Sequence, residues 1–294
     1  MIRKLIKQGK GGYTIYLPKQ WVDSNHLNSG AEIEIRDEKN NLIITPKVMH
    51  KENKSTTINL EQLPKTIYRS IIGSLYRGGF DEIKVKYKDP EVLSKLQYAV
   101  NLLYGFEILE VDDKSCVIKN TYDVESTEAL PFVNRMIHTI KTMQNTILID
   151  IKNNDYNSRE ALDEYRKIIL KQRDIVQRII VRHKLLDNKI FPFYTITTYL
   201  WHITRNYDLL YDYLREKKII PQHHISLFEK TNQYFSESFE GLHKHKLIET
   251  HLKFEELFSL ATNDKEATLL VGYCLNIILS IQSCSSSIML LNYS

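Results

Sequence analysis

Residues 126–292 read as helix throughout, and that long-running periodicity is the strongest constraint on the fold. Apolar side chains recur every three or four positions, as they do on the buried face of a helix. The pattern breaks at Asn153-Asn154-Asp155, at Asp187-Asn188 with Pro192, at Pro221, and at Thr262-Asn263-Asp264. The breaks delimit helices over 127–153, 158–185, 194–217, 223–245, 247–261 and 265–291. Long helices joined by short connections pack as antiparallel neighbours, so two sets of three are expected.

The rest of the chain has other periods, and the whole is expected to be an α+β multidomain protein. Over residues 1–46, short alternating runs (Arg3–Gln8 and Tyr13–Leu17) flank the turn Gly9-Lys10-Gly11-Gly12. Pro18 opens a short helix, Lys19–His26, at a position where its missing N–H costs nothing. Trp21, Val22 and Leu27 are expected to form its buried side. Ala31–Arg36 and Leu42–Thr45 form a hairpin closed by Pro46. A unit this small buries little by itself, and dimerisation through interleaved strands is the economical remedy. Residues 47–56 read as a polar linker. Residues 57–122 alternate strand and helix: strands 57–60 and 82–87, helices 64–77 and 91–104, and a hairpin of 107–111 with 116–120. This predicts three domains, 1–46, 57–122 and 126–292.

Cys116, Cys274 and Cys284 show no CxxC spacing, and Met1-Ile2-Arg3-Lys4 leads into alternating polar residues rather than an apolar signal core. Free thiols and a cytoplasmic location are expected. Residues 267–291 lack charge, but Asn276, Gln282, Ser283 and Ser285–Ser287 interrupt them, which suits a helix walled in by others rather than a membrane span. No nucleophile–base–acid arrangement is legible. Gly9-Lys10-Gly11-Gly12 lacks the spacing of a phosphate-binding loop, so no enzyme activity is expected.

The net charge of +4 is too small to argue for a nucleic-acid partner, so the argument rests on distribution. Every charged side chain in residues 1–19 is basic: Arg3, Lys4, Lys7, Lys10 and Lys19. In a dimer the two copies would form one basic face suited to a phosphate backbone, with Tyr13, Tyr16 and Asn25 as polar neighbours.

The runs Arg3-Lys4-Leu5-Ile6-Lys7-Gln8-Gly9, Tyr13-Thr14-Ile15-Tyr16-Leu17-Pro18-Lys19-Gln20-Trp21 and Gly30-Ala31-Glu32-Ile33-Glu34-Ile35 resemble the AbrB/SpoVT/MazE swapped-hairpin DNA-binding domain. The resemblance implies a homodimer that reads double-stranded DNA with Arg3, Lys4, Lys7 and Lys10. Tyr16 departs from the family, where a basic residue is common. Together with Gly78-Gly79-Phe80-Asp81-Glu82-Ile83 and the helical tail, the layout resembles archaeal phosphate-uptake regulators of the PhoU class. That resemblance implies transcriptional control of phosphate uptake, with a transporter component or sensor protein as a further partner of the PhoU-like helical bundles. In an alternative reading the helical body is an adaptor for such a component and the first domain serves dimerisation. An antitoxin is the third reading, set against the length of the tail.

PhoU relatives carry acidic i, i+4 pairs that hold metal clusters. Here the matching positions read as Arg173 and Gln177 beside Asp174, as Trp201 and Arg205, and as Ser283, Cys284 and Ser285. No metal and no cofactor is therefore expected. His223-His224, His243-Lys244-His245, and His251 with Glu249 and Glu255 are read as surface or capping histidines. Tyr165, Tyr194, Tyr199, Tyr207, Tyr211, Tyr213, Phe191, Phe193 and Trp201 are read as packing, not as a platform for bases.

Overall fold

The computed structural model describes all residues except 1, 10, 39–40, 47–52, 123, 125–128, 183–189, 218–219, 241–246, 265–267 and 294. Lys10, most of the expected linker, Asp187-Asn188 and His243-Lys244-His245 thus lie outside the described residues. The chain divides into two units, residues 1–53 and 54–294.

The first unit holds two separate hairpins and a helix. Strands β1 (Ile6–Gln8) and β2 (Gly12–Thr14) pair antiparallel, with Lys7 opposite Tyr13. Helix α1 (Lys19–Ser24) follows, and β3 (Ile33–Glu38) pairs with β4 (Asn41–Pro46). The first two strands are shorter than the alternation suggests. Among the described residues no third strand pairs with them, the ladder ends at Ile6 and Thr14, and Ile15 and Leu17 continue outside any strand. Among the described residues of this unit none is buried, and Trp21, Val22 and Leu27 are only half-buried. The expected buried side of α1 is therefore only partly covered among the described residues.

The second unit begins with a four-stranded sheet of order β5-β6-β8-β7. Strand β5 (Ser55–Asn59) starts inside the expected linker and runs parallel to β6 (Glu82–Lys86), joined through α2 (Tyr68–Arg77). Helix α3 (Val92–Asn101) leads to the hairpin β7 (Phe106–Asp112) and β8 (Ser115–Asn120), and β8 inserts between β6 and β7. Alternation puts Ile83, Val85, Cys116 and Ile118 in a core shared with Ile72, Tyr76, Leu96 and Val100.

Six helices follow among the described residues: α4 (Ala129–Asn153), α5 (Arg159–Arg182), α6 (Ile190–Lys217), α7 (Gln222–Phe239), α8 (Leu247–Thr262) and α9 (Leu269–Tyr293). Helices α4–α6 pack together, as do α7–α9, and α6 lies along α9 to join the sets. Pro192, expected at a break, lies inside α6. It is the third residue, in the first turn, where no helical partner awaits its missing N–H. Helix α9 is long and apolar enough to cross a membrane. Its Cys274, Ile277, Ile281, Cys284 and Ile288 are nevertheless fully buried inside the bundle.

The sheet layer and the bundle share one core and are riveted by α5. Arg178 donates to the carbonyls of Tyr76 (2.9 Å) and Phe80 (2.7 Å) and to Asp81 Oδ1 (2.7 Å). Arg182 donates to Asp81 Oδ2 at 2.7 Å. The Gly78-Gly79 turn is pressed against this contact. Gly79 has φ +77°, and a Cβ there would lie 3.0 Å from Arg182 Cδ, so only glycine fits without strain. One turn along, Arg77 and Arg173 both donate to Asp174 (3.0 and 2.6 Å).

Tyrosines tie the helices internally. Tyr207 OH donates to Asn232 (2.8 Å) and accepts from Gln144 (2.9 Å). Tyr211 OH donates to Asp150 (2.5 Å) and accepts from the Ser158 N–H (2.8 Å). Most of the middle-helix aromatics pack as expected, although Phe191 and Tyr194 are exposed.

Burial raises the pKa of Tyr211 to about 12, helped by Asp150, and raises Tyr76, Tyr207 and Tyr234 as well. Burial alone lifts Cys116 to about 11, and it lifts Cys274 to about 12. All these groups hold their protons more tightly when folded. Their contribution is complete below the unfolded values, about pH 9–10, and is lost as pH climbs through the folded ones. Stability to urea is therefore expected to fall steeply between about pH 10 and 12. Tyrosinate absorbance should rise together with loss of ellipticity. Tyrosines that ionise gradually while the helices persist would contradict this burial.

Candidate nucleic-acid interface

The first hairpin owes its turn to glycine. Gly9 and Gly11 adopt φ of +64° and +133°, conformations that side chains with a Cβ resist. The reversal brings Lys7 opposite Tyr13, so their side chains share one face. Thr14 Oγ1 donates to the Ile6 carbonyl at 3.3 Å and braces the open end. Pro18, with φ −60°, accepts from the N–H groups of Trp21 (3.0 Å) and Val22 (3.1 Å) and so starts α1 with Lys19 as its first residue.

Arg3 and Lys4 lie in the segment leading into β1, Lys7 on β1, Tyr13 on β2 and Lys19 at the head of α1, all exposed. Lys10 lies outside the described residues. Among the described residues Arg3, Lys4, Lys7 and Lys19 make no ion pair, so their charge is available to an outside anion. The acids of the unit, Asp23, Glu32, Glu34, Asp37, Glu38 and Glu52, all follow Trp21 in the chain. The first hairpin is therefore uniformly basic. Tyr13 and Tyr16 are 64% and 74% exposed, rings open to contact with a base or sugar. Ile2, Leu5, Ile15, Ile35 and Leu42 are exposed as well, which is more apolar surface than a unit of this size ordinarily leaves to water.

In the helical unit, the positions matching the PhoU acidic pairs carry other chemistry. Arg173 lies over the Trp201 ring at 5.0 Å, and Gln177 donates to Thr198 at 3.3 Å. An acidic i, i+4 pair does occur on α6, two turns further along, at Asp208 and Asp212. Sequence reading missed it. Asp208 is buried, and Arg159, Arg205 and Arg166 approach it at 2.9, 3.2 and 3.5 Å. Arg159 also reaches Asp212 (3.1 Å) and Asp163 (2.9 Å). The carboxylates are neutralised by guanidinium groups, so this cluster serves as an ion-pair network holding α5 to α6.

The family model "Antidote-toxin recognition MazE, bacterial antitoxin" matches residues 6–52. No curated protein and no solved structure matches the chain. The chain thus carries a MazE/AbrB-type domain at its start, followed by a mixed sheet layer and a largely helical region.

Proposed function

We propose that this chain is a DNA-binding transcription regulator that acts as a homodimer in the cytoplasm and catalyses no reaction. The observation that carries the reading is the first hairpin. Its charged residues are all basic, its described residues are exposed, and it lies in a segment matched by a MazE-type model. Arg3, Lys4, Lys7, Lys10 and Lys19 grip phosphates, while Tyr13 reaches the groove. The absence of any buried residue among those described in residues 1–53 supports dimerisation, since a second copy would cover what one leaves exposed. Three free, buried cysteines suit a reducing compartment.

The helical unit serves as the sensing or partner-docking body. We assign phosphate uptake as the regulated process, with a transporter component or sensor protein as second partner. This assignment rests on the resemblance of the layout to PhoU-class regulators. The description of the matched family favours a toxin-neutralising role. Against it, the match stops at residue 52 and a large folded unit follows, where a short tail would be enough for an antitoxin.

The test is binding of the purified chain to its own upstream region and to phosphate-transporter promoters over a salt series. A log–log slope of about −9 is expected, from roughly ten phosphate contacts per dimer. Absence of binding at low salt would overturn the DNA reading and leave the adaptor. Binding to the upstream region alone would remove phosphate uptake and keep the regulator.

A further inference from the structure

The histidines at the start of α7 do not behave as a pair of surface groups. His223 is half-exposed, but His224 is only 1% exposed, and the two rings lie 4.1 Å apart between centroids. Asp264, in the connection between α8 and α9, is nearly buried as well. Its Oδ2 lies 3.2 Å from His224 Nε2 and 3.9 Å from His223 Nε2. One donor atom from each of the three residues falls within 4.8 Å of the other two.

Despite the 3.2 Å separation, His224 Nε2 makes no hydrogen bond. The ring nitrogen and the carboxylate are near neighbours but are not aligned to share a proton. A buried imidazole nitrogen left in that state is costly unless something else satisfies it. A buried ring nitrogen that makes no hydrogen bond, with a carboxylate oxygen and a second imidazole close by, is an arrangement that a shared cation would satisfy. Around tetrahedral zinc, nitrogen and oxygen donors at about 2.0–2.1 Å stand about 3.3 Å from each other. The His224–Asp264 edge already has that length, and the exposed His223 ring needs to close by roughly half an ångström.

We propose that His223, His224 and Asp264 bind one divalent transition-metal ion, zinc in the first instance, with a fourth position open to solvent on the His223 side. Two imidazoles and one carboxylate are borderline donors, which favour zinc or cobalt over magnesium and calcium. The ion clips the start of α7 to the connection that leads into α9, and so braces the second three-helix set. This site is separate from the Asp208 network and independent of the DNA reading.

The test uses the full chain, stripped with a chelator and titrated calorimetrically with zinc chloride. One ion per chain is expected, together with a rise in melting temperature. Cobalt(II) in its place should give the intense visible bands of a tetrahedral site. His223→Ala and Asp264→Asn should each weaken zinc binding at least about tenfold. His223 is exposed enough that its variant should fold, as far-UV circular dichroism will show. His251→Ala, which removes an exposed histidine 3.9 Å from Glu255, should leave this binding unchanged. Failure to bind zinc at one per chain, or a His223→Ala protein that binds as the parent does, would overturn the site. So would loss of the ion in His251→Ala.

Discussion

Replacing Arg3, Lys4 and Lys7 together with alanine is expected to lower affinity for double-stranded DNA by on the order of a thousandfold at low salt. A dimer would lose about six phosphate contacts, and each contributes roughly 0.9 to the log–log salt slope. The slope itself should therefore shrink by about five, leaving roughly −4 from the Lys10 and Lys19 contacts. The three side chains are exposed, so the variant should keep its fold and its oligomeric state. Fluorescence anisotropy across a salt series, with light scattering on the same samples, separates the possible outcomes. A weakened complex with the parent's salt slope would mean that the contacts lie elsewhere. Tyr13→Ala should act differently, altering the preference among sequences while leaving the salt slope in place.

The second large effect is on stability. Asp81→Ala should destabilise the chain by about 3–5 kcal/mol, because it leaves two guanidinium groups facing each other with their shared carboxylate gone. Arg178 is 4% exposed and Asp81 11%, so water cannot readily take the carboxylate's place. The Lys54 N–H loses its acceptor too, since it donates to Asp81 Oδ2 at 3.0 Å. For a unit of this size the melting temperature should fall by roughly 10 °C or more. Adding Arg182→Ala should restore part of the loss by removing the repulsion, while Arg178 keeps its two carbonyl acceptors. A thermal scan showing no change in Asp81→Ala would mean that the sheet layer and α5 are held by apolar packing alone.

The architecture was largely written in periodicity. Helices from α4 to α9 were legible because each repeats an apolar stripe over several turns, and one side of α9 is buried against the other helices. Boundaries failed where local chemistry tolerates both states. Pro192 reads as a breaker, yet the first turn of a helix accepts it. Thr56 reads as linker, yet it extends β5 once β6 lies alongside. The basic hairpin was visible because its residues are neighbours in the chain. The His223, His224 and Asp264 group was not, because forty residues and two helices separate its parts and only the packing of a connection brings them together. Arg178 was equally hidden. An arginine beside Ile179 and Ile180 is usually a solvated charge, and only its alignment with Ile175 one turn back signals burial.

A first unit with no buried residue among those described has a kinetic and quantitative meaning for the proposed dimer. Such a half cannot wait, prefolded, for its mate, so folding and pairing become one bimolecular event. The number of competent DNA readers then grows with the square of the chain's abundance while single chains predominate, and dilution unmakes them. A cell would obtain a threshold from this alone. Modest changes in synthesis would then swing promoter occupancy sharply.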